Sequence, residues 1–174
     1  NIKIVEDKAR FRAESGTAAL MARADLYDSG ELRDLPQIRG KTIATMGRNL
    51  TPDYYMETAF KKVGLTLDDV VFTQMQLTDM PVGLANKAVD AAWMYEPLLT
   101  TMELRGLAHP LIDAGQIVPE EYPQVLYASE AFAQENPEAV RRFVTAHLLG
   151  QRDYYRAFVQ NEADRSEIVQ YLIK

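Results

Sequence analysis

The chain has 174 residues, which is enough for one ordinary domain or for two small lobes. Its 25 acidic and 19 basic residues give a net charge of -6, and no basic cluster interleaved with aromatic residues breaks this balance, which argues against nucleic acid as a partner. The absence of cysteine excludes disulfides, thiolate metal sites and a cysteine nucleophile, and the longest apolar runs fall short of the roughly 20 residues needed to span a bilayer, so we expect no membrane span.

Two strands are predicted near the amino terminus. Residues 1–11 (NIKIVEDKARF) and Thr17–Ala24 (TAALMARA) both have the apolar pattern of a strand, and a turn-rich stretch follows. The chain opens inside a strand pattern and closes on EIVQYLIK, a helical pattern without a cap. We therefore expect a fragment of a longer protein.

One unit is repeated three times in the middle of the chain: a short apolar strand leads into a helix with a proline near its first turn. The predicted strands are Thr42–Met46, Val70–Met75 and Val89–Met94. Their helices begin, in order, at a capping Thr51 before Pro52, at Thr78 or Asp79, and at Pro97. Gly64 and Gly106 are predicted to end the first and third helices.

This alternation predicts an α/β fold with a mostly parallel sheet flanked by helices. Right-handed crossovers place the carboxyl ends of the three strands on one edge of the sheet. Ligands of such sheets sit in the crevice outside those ends, where the helix amino termini also converge. We expect the binding site at this edge.

The rest of the chain is predicted to be two short strands followed by helices. The strands are Pro110–Ile112 and Val125–Ala128. A long helix begins after the cap Asn136, and a last helix begins at Asp164, which has capping-box spacing to Glu167. The residues of the long helix expected to face inward are Val140, Phe143, Val144, His147 and Leu148.

The first candidate site is the stretch TMGRNLT, residues 45–51. Gly47 is expected to turn the backbone sharply, and the amides that follow lead into a helix amino terminus that favours an anion or a polar oxygen. Arg48 adds positive charge, so we take Gly47, Arg48, Asn49 and Thr51 as candidate ligand contacts. The alternative is an ordinary strand-to-helix turn with Arg48 in solvent. The stretch lacks the further glycines and the Gly-Lys-Ser/Thr of nucleotide-binding loops.

The second group of candidates comprises Asp79, Tyr95 and Glu96. Asp79 precedes a helix, so capping competes with ligand contact as its role. Glu96 precedes a proline and is pushed to extended geometry, which presents its carboxylate at the edge of the crevice, and it suits a cap less well than Asp or Ser would. Alternation places Trp93 and Tyr95 on one face of the strand, and a core role is favoured for Trp93. Asp90, at the other end of the strand, is expected to cap or pair with a nearby amide.

Catalysis finds little support in the sequence. His109 and His147 lie in different elements and have no metal-ligand spacing. No Gly-x-Ser-x-Gly elbow occurs, and the carboxylate pairs are adjacent loop residues. We expect no catalytic residue, no metal site and no cofactor, hence a protein that is not an enzyme.

Three stretches of the chain resemble the substrate-binding proteins of ABC importers, specifically the nitrate, sulfonate, taurine and thiamine-type pyrimidine group, which has a type II periplasmic-binding-protein fold: LPQIRGKTIATMGRN, GLTLDDVVFTQMQLTDMPVGLANKAVDAAWMYEP and ENPEAVRRFVTAHLLGQRDY. The resemblance covers nearly the whole chain. Its most specific parts are the entry at Ile38–Lys41, the GLT at Gly64–Thr66 and the VDAAWMYEP strand, which are weak singly and strong together.

The resemblance implies two α/β lobes joined by two crossovers, with a ligand clamped between them. Residues 1–26 would be a remnant of the first lobe with the first crossover, near Met21–Leu26. Residues 27–123 would be the complete second lobe, and 124–174 the second crossover, near Gln124–Ser129, with helices that return to the first lobe. Such proteins normally begin with another strand-and-helix set, and nothing here matches it, so the amino-terminal part of the fold is expected to be missing. The same resemblance places the turn after IATMG and the Tyr95-Glu96 pair at the ligand.

The function implied is a non-catalytic, periplasmic or lipid-anchored solute-binding component of a bacterial importer, which works with a membrane permease and is a monomer at full length. Arg48 favours an anionic group on the ligand, such as a sulfonate, carboxylate or phosphate, and Glu96 favours an amine or a heterocyclic N–H. An amino-sulfonate or an aminopyrimidine would satisfy both. The alternatives are a ligand-sensing domain of a signalling protein and a pyrimidine-precursor enzyme on the same fold. The enzyme is disfavoured because the chain has only two histidines and no cysteine.

Overall fold

The computed structural model describes residues 1–9, 17–121 and 124–173. The chain forms two compact units, one from residues 1–9 and 122–174 and the other from residues 10–121. The strands are β1 (Ile2–Ala9), β2 (Ala18–Arg23), β3 (Thr42–Thr45), β4 (Val71–Gln74), β5 (Ala91–Tyr95), β6 (Ala108–Asp113) and β7 (Gln124–Ser129). The helices are α1 (Ala24–Ser29), α2 (Thr51–Lys61), α3 (Met80–Ala85), α4 (Leu98–Leu104), α5 (Ala114–Ile117), α6 (Glu130–Glu135), α7 (Pro137–Phe158) and α8 (Arg165–Leu172).

The larger unit is built on a five-stranded sheet in the order β4-β3-β5-β2-β6. Strand β3 runs parallel to both β4 and β5, and β2 is antiparallel to both β5 and β6. Four strands therefore point the same way and β2 alone is reversed. The predicted α/β fold with a mostly parallel sheet is confirmed, as is the shared edge for the carboxyl ends of the three repeated strands.

Apolar side chains cover both faces of this sheet. Along β5, Ala91 and Trp93 belong to one core cluster, whereas Ala92 and Met94 belong to the other. This alternation explains why the strand is apolar at nearly every position: each face needs its own set of buried side chains. Trp93 is 1% exposed and stacks on Tyr55 with ring centroids 5.6 Å apart, so its predicted core role is confirmed.

Strand β2 lies inside this sheet, whereas the sequence assigned residues 1–26 to the first lobe. Its side chains alternate between the two cores, with Leu20 in one and Met21 in the other, which places the strand between β5 and β6. An apolar strand pattern does not specify its partners, so the sequence could not place it. The expected boundary at residue 123 and the last two residues of the first predicted strand, 10 and 11, lie outside the described residues. The assignment of the units to the two lobes stays a prediction.

The smaller unit combines a two-stranded antiparallel sheet with three helices. Strand β1 pairs with β7, with Ile2 opposite Ser129, and helices α6, α7 and α8 follow. The expected inward stripe of α7 is only partly realised, because Phe143 is 60% exposed and Leu148 50% exposed. A two-stranded sheet offers too little surface to bury a helix of 22 residues. Among the described helices, none combines the length and apolar character that crossing a membrane requires.

Two helix starts differ slightly from the sequence expectation. Helix α2 begins at Thr51 itself, with Leu50 as the extended residue before it, so Thr51 is the first helical residue and not the cap. Helix α4 begins at Leu98, and Pro97 occupies the flanking position. Both shifts are one residue long, which is the usual uncertainty of helix ends.

Candidate functional site

The candidate site is the edge of the larger sheet where the parallel strands end. Thr45, Gln74 and Tyr95 are the last residues of β3, β4 and β5, and β3 lies between the other two. The amide of Met75 donates to the carbonyl of Thr45 at 2.9 Å, which extends the β3–β4 pairing past the end of the strands. The turn after β3 is therefore flanked on both sides by the segments that follow β4 and β5.

Arg48 and Asp53 form an ion pair across this turn. The Nε of Arg48 donates to Oδ2 of Asp53 at 2.9 Å, and the amide of Asn49 donates to the same oxygen at 2.7 Å. Asp53 lies in the first turn of α2 and is only 7% exposed. The carboxylate thus caps the turn, compensates the helix amino terminus and fixes one edge of the guanidinium at the same time.

The guanidinium of Arg48 also stacks on Phe72 of β4. Its central carbon lies 3.7 Å from the centre of the phenyl ring, a cation–π contact between neighbouring strands. Arg48 is nevertheless 46% exposed, and its bond to Asp53 uses Nε. Within the described part of the chain, no residue accepts a hydrogen bond from the two terminal nitrogens. The side chain is therefore held by the ring of Phe72 and by Asp53, while its terminal nitrogens are left for a further acceptor.

The sharp turn is made by Asn49 and not by Gly47. Asn49 has φ 61°, in the left-handed region, whereas Gly47 has no positive φ and a β-carbon there would meet only Leu50 at 3.5 Å and Gln74 at 3.8 Å, which are ordinary contacts. The expected role of Gly47 in the turn is therefore wrong. Asparagine tolerates the left-handed conformation better than most residues, so the sequence did contain a signal for the turn, two residues after Gly47.

Glu96 has a structural role that the sequence analysis disfavoured. Its carboxylate is exposed and accepts two hydrogen bonds from Thr100, one from the amide at 3.2 Å and one from the hydroxyl at 2.7 Å. Its own amide donates to the carbonyl of Thr17 at 3.0 Å. Glu96 therefore ties the end of β5 to the first turn of α4, while one face of its carboxylate remains in contact with solvent.

Tyr95 is half-buried on the same face of β5 as Trp93, as the alternation predicts. Burial raises the pKa of the Tyr95 phenol above its usual value. Burial, with a smaller contribution from the carboxylate of Glu121, raises the pKa of Tyr55 to about 12. Both phenols therefore stay protonated at any physiological pH.

Asp79 and Asp90 differ in what they contact. Asp79 is exposed at the start of α3, and its side chain makes no capping hydrogen bond. Capping by its side chain, the expected competitor of ligand contact, is therefore not realised. Asp90 accepts from the amide of Thr42 at 2.9 Å and pairs with Arg23 at the opposite edge of the sheet, so its expected pairing with an amide is confirmed.

The structure brings most of the predicted site residues to one edge. Gly47, Arg48, Asn49 and Thr51 follow β3, Tyr95 and Glu96 end the neighbouring β5, and Asp79 follows the outer strand β4. Sequence reasoning missed Asp53 and Phe72. Asp53 was readable as an acid in the first turn of a helix, close to an arginine, whereas the contact of Phe72 depends on the register of β4 against β3.

The two histidines belong to different units, His109 to the larger one and His147 to the smaller one. His109, on β6, has its ring 4.9 Å from that of Tyr27 and 3.6 Å from Asp28, and His147, on α7, pairs with Glu6 at 2.9 Å. Among residues 1–9, 17–121 and 124–173, no group of three or more His, Asp or Glu is arranged to hold a metal ion.

Comparison with known proteins adds family and fold to this geometry. The sequence profile of the family described as NMT1/THI5 like matches residues 14–157. A Brucella abortus protein described only as a binding protein is 26% identical over 114 residues, which are 64% of this chain and 35% of that protein.

The fold is shared with solved structures, two of which follow. The periplasmic aliphatic sulphonate binding protein SsuA from Escherichia coli matches with a TM-score of 0.72 at 14% identity, over 92% of this chain and 51% of that one. The periplasmic nitrate-binding protein NrtA from Synechocystis PCC 6803 matches with a TM-score of 0.63 at 12% identity, over 99% of this chain and 44% of that one. The chain thus spans about a third of the length of the Brucella relative and about half that of the solved structures. At these identities the structures show a shared fold.

Proposed function

Because the chain belongs to the NMT1/THI5-like family, we propose that it is the solute-binding component of a bacterial ABC-type importer, without catalysis. Its partners would be a small polar or anionic organic molecule and the membrane permease of the importer. Its place would be the periplasm or the outer face of the membrane. The shared fold with a sulphonate-binding and a nitrate-binding protein supports this class of function.

The observation that carries the proposal is the position of Arg48. It lies at the carboxyl edge of the parallel strands, stacked on Phe72 and paired with Asp53 through Nε, which leaves its terminal nitrogens available to a solute. A guanidinium held in this way loses little side-chain entropy when it binds a polar group. Gly47, Asn49, Thr51 and Asp79 would line the same edge.

Glu96 and Tyr95 would provide the second half of the recognition. The carboxylate of Glu96 accepts from Thr100 and retains acceptor capacity for an N–H of the ligand. The phenol of Tyr95 is protonated and offers a donor. A sulfonate, a taurine-like molecule or an aminopyrimidine-like molecule fits one or both halves of this arrangement.

Calorimetric titration of the protein with taurine, ethanesulfonate, nitrate and 4-aminopyrimidine tests the proposal, with Arg48→Ala as the site variant. Arg39→Ala is the matched control. Arg39 is an exposed arginine that precedes β3, at the opposite edge of the sheet, and it pairs with Asp69. We expect Arg48→Ala to weaken the affinity for the solute by roughly 10-fold to 100-fold, which is the value of a charge-assisted hydrogen bond. Arg39→Ala should leave the affinity unchanged. Equal effects of the two substitutions, or no binding of any solute, would refute the assignment of this edge.

A further inference from the structure

The carboxylate of Asp53 accepts from two donors of the turn after β3, both of a kind that binds anions. Its Oδ2 accepts both the Asn49 amide and the Arg48 Nε, at 2.7 and 2.9 Å. Its Oδ1 is fully shielded from solvent and has no hydrogen-bond partner among the described residues. Asp53 is buried, so its charge is screened by water far less than that of a surface carboxylate.

The three features that favour an anion at this edge are therefore already compensated from inside the protein. These are the guanidinium of Arg48, the Asn49 amide of the turn and the amino terminus of α2. In the segments that directly follow the strands, residues 46–53, 75–80 and 96–100, Arg48 is the single basic residue. The acidic residues of the same segments are Asp53, Asp79 and Glu96. Counted over these three described segments alone, the formal charge is negative, not positive.

We propose that Asp53 is a specificity-determining residue, an inference that rests on the proposed function. It directs the site toward a solute group without net negative charge. In such a group an acceptor atom faces Arg48 and N–H donors face Glu96. Amides, sulfonamides and amino-substituted heterocycles have this chemistry. A simple anion is attracted by the guanidinium of Arg48, but it is repelled by the buried carboxylate of Asp53 that is paired with the same guanidinium. Asp53 acts on the solute through Arg48 and does not need to touch it.

A matched pair of probes separates charge from shape. Methanesulfonamide and methanesulfonate have nearly the same size, but the first is neutral at pH 7 and carries N–H donors, whereas the second is an anion. NMR titration is suited to the weak binding of such small probes. We expect the wild-type protein to bind methanesulfonamide more tightly than methanesulfonate, a comparison that requires no variant to fold.

Asp53→Asn then tests the role of the residue itself. Asparagine keeps an oxygen that accepts from Asn49 and Arg48, removes the negative charge and places an NH2 group where Oδ1 has no hydrogen-bond partner among the described residues. We expect this variant to bind methanesulfonate roughly 10-fold more tightly than wild type while the sulfonamide affinity changes less than roughly threefold, so that the preference reverses. Asp68→Asn is the control for net charge, since Asp68 is exposed in the turn ahead of β4 at the opposite edge, and it should leave the ratio unchanged.

The possible outcomes separate this inference from the proposed function. If wild type prefers the sulfonate, or if Asp53→Asn and Asp68→Asn shift the ratio equally, the role of Asp53 is refuted while solute binding stands. If neither probe perturbs the resonances of residues 46–53 or 95–100, both the inference and the proposed binding edge are refuted.

Discussion

Glu96 accepts hydrogen bonds from both the amide and the hydroxyl of Thr100, at 3.2 and 2.7 Å. The residue directly after the most apolar strand of the sheet, β5, is thus also the residue that anchors the next helix. This dual position explains why a carboxylate follows a buried strand: the amide of Thr100, in the first turn of α4, needs an acceptor. It also means that stability and ligand binding must be measured separately at Glu96.

Glu96→Gln and Thr100→Val are predicted to affect different properties. Thr100→Val removes the hydroxyl bond and leaves the carboxylate charged, so it should lower the free energy of unfolding by about 1 kcal/mol and keep solute affinity. Glu96→Gln keeps one of the two oxygens that accept from Thr100 but loses the charge, so it should weaken the binding of solutes with N–H donors by roughly 10-fold. Urea unfolding and calorimetry are the measurements. Equal loss of affinity in both variants would mean that Glu96 contributes only through the helix.

The parts of the fold that sequence predicted are those set by local patterns. Strand alternation and the prolines near the helix starts located β3, β4 and β5 to within a few residues, and a shared edge follows from their parallel direction. The position of β2 between β5 and β6 was not predictable, because it depends on pairing between segments far apart in the chain.

The candidate site likewise combines features that local sequence predicts with features that depend on the assembled sheet. The turn at residues 47–51 was found because it follows a strand and precedes a helix. The contact of Arg48 with Phe72 depends on strand register, and the stacking geometry is a property of the assembled sheet. Asp53 was within reach of sequence reasoning, since acids near a helix amino terminus are favoured, but the pattern alone does not say whether such an acid binds a backbone amide, an arginine or both.

Trp93→Ala is predicted to be strongly destabilising. Trp93 is 1% exposed and stacks on Tyr55, so its removal leaves a large cavity in one of the two cores of the sheet. We expect a loss of about 3 to 5 kcal/mol in the free energy of unfolding, followed by circular dichroism because the chain has one tryptophan. Trp93→Phe keeps an aromatic ring against Tyr55 and should lose less. A loss below about 1 kcal/mol for Trp93→Ala would contradict its core role.

The interactions of Asp25 predict a dependence of stability on acidic pH. Hydrogen bonds from Lys87 and then Arg23 lower the pKa of Asp25 from 3.8 to about 2. A carboxyl with a depressed pKa stabilises the fold above its unfolded pKa, and this contribution is lost as pH falls from about 4 to about 2. Asp25→Asn should therefore have a lower melting temperature than wild type at pH 7, and the difference should vanish near pH 2. The effect should be small, because the side chain of Asp25 is 42% exposed.

Comparison of the two melting temperatures across this range decides the point. Asp68→Asn serves as the control, because Asp68 is an exposed acid in a turn. A difference for Asp25→Asn that is constant from pH 7 to pH 2 would show that the substitution acts by something other than the loss of its ion pairs.

In the smaller unit, Glu6 and His147 join β1 to α7. The Nδ1 of His147 lies 2.9 Å from Oε2 of Glu6, whose side chain is only 5% exposed and whose Oε1 has no hydrogen-bond partner among the described residues. Removing the histidine leaves a buried carboxylate without its partner, whereas removing the charge of the glutamate does not. The two substitutions are therefore expected to be unequal, although they break the same contact.

We expect His147→Leu to lower the free energy of unfolding by about 1 to 3 kcal/mol, Glu6→Gln to lower it by less, and the double variant to lose less than the sum of the two. Hydrogen exchange of the α7 amides reports on this unit directly. His109→Leu is the control, since Asp28, its acidic neighbour, is 68% exposed and remains hydrated when the ring is removed. An additive double variant would show that Glu6 and His147 contribute independently, and an equal effect of His109→Leu would show that burial of the carboxylate is not the cause.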